Sequence, residues 1–299
     1  MHMPTDAALA DAPAPPAIAR PFIKWAGGKR DLLAQYQPHF PSRDRVRRYF
    51  EPFLGGGAVF FHLQIQSALL FDTNPALIEV YQIVRDEVER LIDALQQHEN
   101  EKTHYYAVRA QDPAQLSAVE RAARFIYLNR TGYNGLYRVN QRGQYNVPFG
   151  RHKNPVICDR ENLRAVSHAL QTAQLAADDF EAATDQAGPG DLIYFDPPYA
   201  PLSATANFTS YTRNGFSEAD QRRLARRVHQ LHERGCFVML SNSSASLIYE
   251  LYQGYGYHLI EIQARRAINS APHKRGPVTE LLITNFPPAS SICACAQGA

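Results

Sequence analysis

No stretch of the 299-residue chain approaches the ~18 uninterrupted apolar residues that a bilayer-spanning helix needs, so a membrane span is not expected. Cysteine is scarce. The four present (Cys158, Cys236, Cys293, Cys295) have neither CxxC nor metal-ligand spacing, so a zinc site and a disulfide framework are both disfavoured. They read as reduced thiols in a cytoplasmic protein. Residues 1–20 are Ala/Pro-rich and lack the basic and apolar regions of a signal peptide, which points to a disordered leader. Net charge is only +2, so the overall balance does not single out a partner.

Acid is missing where it would matter most. From Arg121 to Lys153 there are seven Arg/Lys and no Asp or Glu, and Arg265 to Thr279 has four and none. A solvated basic face is the bland reading of such runs. Here they interleave with aromatics, Asn and Gly, which favours a surface facing phosphates. Two common nucleotide signatures are also incomplete. Phe22-Ile-Lys-Trp-Ala-Gly-Gly-Lys29 is not a Walker A loop, because Ile23 and Arg30 stand where Gly and Ser/Thr are required. The Gly55-Gly-Gly57 run lacks the last glycine of GxGxxG, because position 60 is Phe.

What is present centres on Asp191-Leu-Ile-Tyr-Phe-Asp-Pro-Pro-Tyr199. Leu192 to Phe195 has the length and residue types of a buried strand. It must stop at Asp196, since Pro197 and Pro198 cannot continue a ladder. Two prolines stiffen the backbone and leave carbonyls free to accept, and Tyr199 adds a flat ring. A carboxylate, a bare carbonyl and an aromatic face at a strand's end suit a planar heterocycle with an exocyclic amine. A simple Pro-Pro turn is the competing reading.

Other elements fall around this strand. Tyr49 to Glu51, followed by Pro52, Phe53 and the glycines, reads as the opening strand and turn of a nucleotide-type βα unit, with a Gly-rich hairpin as the alternative. Leu69 to Asp72 reads as a second strand ending in an acid placed for ribose hydroxyls. Asn74 caps a helix with Pro75 in its first turn, and Leu77, Val80, Tyr81, Val84, Val88, Leu91 and Leu95 form its buried stripe. Residues 100–164 interrupt the alternation. In them Asn134-Gly135 and Arg142-Gly143 favour tight turns, Arg and Asn suit purine edges, and Tyr133 with Asn134 could wedge into a base stack. A helix over 161–174 precedes the Asp191 strand. A polar stretch over 200–215 is a candidate lid, Ser217 caps a further helix, and 237–240, 258–263 and 280–285 read as strands, 237–240 ending at Ser241-Asn242-Ser243.

Taken in order, Lys24-Trp-Ala-Gly-Gly-Lys29, Glu51-Pro-Phe-Leu-Gly-Gly-Gly57, Asp72, Tyr127-Leu-Asn-Arg-Thr-Gly-Tyr-Asn-Gly-Leu136, Asn146-Val-Pro-Phe-Gly150 and Asp196-Pro-Pro-Tyr199 resemble the DNA adenine-N6 methyltransferases of the Dam family, α arrangement, over about residues 21–286. The resemblance implies an α/β fold with a Rossmann-like, mostly parallel sheet. The catalytic domain would comprise 21–99 and 165–286, with a helical and β-hairpin target-recognition insert over 100–164 and a flexible tail over 287–299. It implies S-adenosyl-L-methionine held by Trp25, Lys29, Glu51, Phe53, Gly55, Gly57, Asp72 and Asp196, and catalysis by Asp196, Pro197, Pro198 and Tyr199. It implies double-stranded DNA contacted by Lys24, Tyr133, Asn134, Leu136, Arg138, Asn140, Pro148 and Arg151, with adenine in GATC as target and base flipping as the route. A cytoplasmic, metal-free protein of bacterial or phage type, monomeric or weakly dimeric on DNA, is the matching expectation. The alternatives left open are another planar amine (cytosine N4, RNA adenine or a protein amide), an inactive DNA binder, and a nicotinamide oxidoreductase.

Overall fold

The computed structural model describes residues 18–202, 216–265 and 277–287. Residues 1–17 of the Ala/Pro leader, 203–215 of the candidate lid, 266–276 of the last basic run and 288–299 of the Cys-containing tail lie outside the described residues. None of the described helices is long and apolar enough to cross a membrane.

Seven strands form one sheet: β1 (Tyr49–Glu51), β2 (Ala68–Asp72), β3 (Ala173–Ala177), β4 (Leu192–Phe195), β5 (Phe237–Ser243), β6 (His258–Arg265) and β7 (Pro277–Thr284). Their order is β3-β2-β1-β4-β5-β7-β6. The first five are parallel, and β7 runs antiparallel between β5 and β6. From β1 the chain winds one way to β2 and β3, and from β4 it winds the other way to β5. The reversal opens a crevice at the carboxyl ends of β1 and β4, where ligands of open α/β sheets bind. This is the Rossmann-like fold of S-adenosylmethionine-dependent methyltransferases that the sequence led us to expect.

Strand periodicity divides the interior into two cores. Tyr49, Leu70, Tyr194, Met239 and Leu282 face one side, under α1 (Leu33–Tyr36), α2 (Ala58–Leu63), α3 (Pro75–Asp86), α4 (Val88–Gln96), α6 (Ala118–Thr131) and α7 (Arg160–Leu170). Phe50, Leu69, Ile193, Phe195, Val238, Leu240 and Ile283 face the other, under α8 (Phe180–Ala183), α9 (Glu218–Glu233) and α10 (Ser246–Tyr252). A smaller cluster of Tyr105, Val108, Tyr127 and Leu128 joins α5 (Lys102–Ala110) to α6 and supports residues 145–157.

Several sequence expectations change. The single helix after Asn74 is two, α3 and α4, broken at Glu87 (φ −133°, ψ 36°), and Val88 is only half-buried. Its cap is as expected, Asn74 accepting from the amides of Ala76 and Leu77. The helix expected over 161–174 ends at Leu170, and β3 follows unforeseen. α7 runs through residue 164, and α6 packs on α3 and α4 in the main core.

Candidate active site

β4 is four residues long and wholly buried, and it delivers Asp196 to the rim of the crevice. Lys29 reaches it from the N-terminal loop, with Nζ 2.7 Å from Asp196 Oδ2 although only 4% of Lys29 is exposed. The same ammonium donates to the Gly27 carbonyl and lies 5.0 Å from the centre of the Tyr199 ring. Ser241, at the end of β5, donates to Asp196 Oδ1 at 2.8 Å. Tyr199 donates to Glu280 of β7 at 2.9 Å. Burial raises the Glu280 carboxyl, with Lys29 opposing, and burial holds the Tyr199 phenol far above neutrality, so it remains a donor. The Pro198 carbonyl is occupied by the Gln221 amide at 2.8 Å. Among the described residues no group donates to that of Pro197.

Beside this loop lies a glycine cradle. β1 ends at Glu51, which is buried and accepts from the Tyr49 hydroxyl at 2.8 Å. Burial pushes the Glu51 carboxyl up to about 8, and the Tyr49 bond only partly opposes this. Gly55 (φ +48°) and Gly57 (φ +66°) then turn the chain into α2. A Cβ at Gly55 would sit 2.6 Å from Trp25 Cδ1, so the indole covers the loop only because that residue is glycine. Asp72, at the end of β2, ties the cradle together. Its Oδ2 accepts from the Gly55 amide at 3.0 Å and its Oδ1 from the Asn74 amide at 2.9 Å. Burial raises this carboxyl and the two amides oppose it. Tyr81 of α3 donates to the Gly55 carbonyl at 3.0 Å. Phe53 packs on the opposite core, stacked on Phe180 at 5.7 Å and edge-on to Phe195.

A third group of residues follows α6. Tyr133 to Gly135 forms a tight turn with Asn134 (φ 55°) and Gly135 (φ +64°) left-handed, and Tyr133 is 52% exposed. Two antiparallel bridges, Gly132 with Phe149 and Val139 with Tyr145, make the rest a rudimentary hairpin. At its tip Asn140 Oδ1 accepts from the amides of Arg142 and Gln144. Arg138 is exposed and donates to Asn146 Oδ1 at 2.7 Å. Leu136 is half-buried and Pro148 exposed, the Pro148 carbonyl receiving the Tyr133 amide at 2.9 Å. Arg151 is exposed with φ 54°.

The buried Asn129 side chain fastens this hairpin to the N-terminal loop. It accepts from the Lys24 amide at 2.8 Å and donates to the carbonyls of Lys24 (2.8 Å) and Gly135 (2.9 Å). Tyr137 stacks on Trp25 at 5.8 Å and on Phe125 at 4.9 Å, so one aromatic column runs from cradle to hairpin. Beside Lys24 a cavity of about 530 Å³ is lined by Arg20, Arg30, Arg130 and Lys153, with Asp159 the acid among its lining residues. An acid-bearing crevice and a glycine cradle thus share the carboxyl end of the sheet, and Trp25 and Asn129 join the basic, Asn-rich hairpin to them.

Residues 25–268 match the family model of the D12 class N6 adenine-specific DNA methyltransferases. The chain belongs to this class. Among similar proteins, a type II methyltransferase of Lactococcus lactis subsp. cremoris, M1.LlaDCHI, is 46% identical over 89% of this chain and 95% of its own length. The type II methyltransferase M.MjaIII of Methanocaldococcus jannaschii is 40% identical over 89% and 99%. The DNA adenine methylase of Escherichia coli K12 is 38% identical over 88% and 94%.

In this methyltransferase Trp25, Lys29, Glu51, Gly55, Gly57, Asp72 and Asp196 meet at the carboxyl ends of β1, β2 and β4, and Phe53 packs against Phe180, Phe195 and Phe216. Tyr133, Asn134, Leu136, Arg138, Asn140 and Pro148 lie on the hairpin that Asn129 ties to Lys24, and Arg151 follows it. Asn129, Tyr137, Gln221, Ser241, Asn242 and Glu280 belong to these clusters, and the sequence reading gave them no role. The signal available was polarity within apolar runs: Ser241 and Asn242 directly follow Val238-Met-Leu240, and Glu280 precedes Leu281-Leu-Ile283. Among the described residues no cluster of His, Cys, Asp and Glu is arranged to hold a metal ion.

Proposed function

We propose that the chain methylates N6 of adenine in double-stranded DNA, within GATC, using S-adenosyl-L-methionine as the donor and a target base flipped out of the helix. The observation that carries this reading is that Asp196, at the rim of the crevice, is ion-paired to Lys29 at the end of β4, the strand beside β1, which leads into the Gly55–Asp72 cradle. Its side chain is only 19% exposed, so an amine still stacked in a duplex would not reach it.

The residues present fit the donor. A Cβ at Gly55 would fill the cradle that Trp25 covers, and Asp72 has its carboxylate oxygens fixed by amides and lone pairs left for hydroxyls. Trp25, Gly55, Gly57 and Asp72 would hold the donor, with Glu51 as a largely protonated wall. When bound, it supplies an electrophilic methyl group on a sulfonium.

Adenine N6 is a weak nucleophile because its lone pair is delocalised into the ring. Asp196 and the open Pro197 carbonyl would accept hydrogen bonds from the two N6–H groups, drawing the nitrogen towards tetrahedral geometry and aiming its lone pair at the methyl. Tyr199, anchored through Glu280, offers the ring on which the base stacks. Lys29 neutralises Asp196 and yields part of the carboxylate to the amine. The proton that N6 sheds afterwards can pass to Asp196. Most of the acceleration would come from positioning.

Arg138, Leu136 and Pro148 would read the target edge, Tyr133 and Asn134 would fill the gap in the stack, and Lys24, Asn140 and Arg151 would contact the duplex. The acid-poor cavity beside Lys24 supports a phosphate-facing surface. The GATC assignment rests on the insert's likeness to the Dam family. The test is to expose unmethylated DNA to the protein and labelled donor, map the modified bases and identify the modified nucleoside. N6-methyladenine at GATC is expected. Label at other adenines would overturn the site assignment, and label at another amine would overturn the reading.

A further inference from the structure

β5 ends in Ser241-Asn242-Ser243, three consecutive polar residues that are all buried on a central strand. The register of β4 on β5 pairs Phe195 with Leu240, which brings Ser241 alongside Asp196. Alternation then sends Ser241 to the face of Tyr194 and Asp196, and Asn242 to the face of α9.

Ser241 Oγ lies 2.8 Å from Asp196 Oδ1, 3.0 Å from the Tyr194 hydroxyl and 3.4 Å from the Phe195 carbonyl. Serine has one proton, and an ion-paired carboxylate only accepts. The Ser241 proton therefore goes to Asp196, and the Tyr194 hydroxyl, wholly buried, donates to Ser241. Asp196 is thereby gripped at both oxygens, by Ser241 at Oδ1 and Lys29 at Oδ2. An aspartate carboxylate otherwise turns in a broad, two-fold torsional well. The far end of the loop is held from the same strand. Asn242 Oδ1 accepts from the Ala200 amide at 3.0 Å, and its amide donates to Gln221, which in turn holds the Pro198 carbonyl. Ser243 donates to the Ala200 carbonyl at 2.6 Å.

We propose that Ser241 is a positioning residue for methyl transfer: its hydrogen bond fixes the plane of the Asp196 carboxylate so that one lone pair points at the incoming amine. Being fully buried, it cannot be displaced by an entering base. The proposal rests on Asp196 receiving the amine. The experiment compares single-turnover methyl transfer, donor affinity and DNA affinity for the parent, Ser241→Ala, Ser241→Thr and Asp196→Ala. Ser241→Ala is expected to slow transfer about 10- to 100-fold with both affinities unchanged. Ser241→Thr, which keeps the hydroxyl, is expected to recover most of the rate. Should the alanine variant melt well below the parent, Ser241→Cys, similar in shape but a weak donor, replaces it and is expected to be slow. A parental rate in a folded variant lacking the hydroxyl, a threonine variant as slow as alanine, or a rate loss matched by lost affinity would overturn the proposal. If Asp196→Ala retains the parental rate, the reading of Asp196 itself fails. If that variant is inactive while Ser241→Ala is not slowed, only the positioning role fails.

Discussion

Glu51 shows how much a single buried group can reveal. Its carboxyl titrates near 8 in the folded chain against 4.5 for an ordinary glutamate, because burial disfavours the charge more than the Tyr49 hydroxyl and the Phe60 amide favour it. Between those values the folded state binds the extra proton. Stability from this group is therefore fully present below about 4.5 and lost as pH rises towards about 8. Glu51→Gln removes the titration. Its melting temperature relative to the parent, both without ligand, is expected to climb between pH 5 and pH 8, and parallel curves would refute the assignment. At Gly55 the constraint is steric. A methyl group there meets the Trp25 ring at 2.6 Å and demands φ +48°. Gly55→Ala is expected to weaken donor binding at least ten-fold, measured by titration calorimetry, with no comparable loss of DNA affinity.

Among the elements, those with strong local rules were legible in the sequence. β4 was readable because its four apolar residues stop at two prolines, and α3 because Asn74 and Pro75 mark its start. β3 was not, since Ala173-Gln-Leu-Ala-Ala177 has weak strand character and is largely exposed, so pairing with β2 rather than propensity decides it. The α3–α4 break at Glu87 was hidden because the apolar stripe runs on across it almost in phase. The residue types of the site could be read, but contacts between distant strands could not. Ser241 and Glu280 reach the Asp196–Tyr199 loop through sheet register, which no local pattern encodes. Under the proposed function, the hairpin after α6 is the element that would read the target. Arg138→Ala is expected to relax discrimination at one base pair of the target by about 1–3 kcal/mol, read from methylation rates on singly altered sites. Asn129→Ala, which frees the hairpin from Lys24, should weaken discrimination across the whole site.

At the scale of the molecule, two cores back a single sheet, and the crevice opens where its winding reverses. Loop, cradle and hairpin are joined through Lys29, Trp25 and Asn129, so donor and DNA would bind to one connected unit. A net charge of +2 conceals the local concentration of Arg and Lys beside Lys24. DNA affinity is expected to fall steeply with salt, and Lys153→Ala should weaken all sequences alike while lowering the slope of log K against log salt by about one. An unchanged slope would remove that cavity from the DNA surface.

In the proposed reaction the Asp196 carboxylate makes an inert amino group reactive. The most direct measurement is methyl transfer to GATC-containing duplex by Asp196→Ala, with DNA and donor affinity determined on the same preparation. No detectable transfer is expected, with DNA binding retained. Transfer at the parental rate by that variant would contradict it.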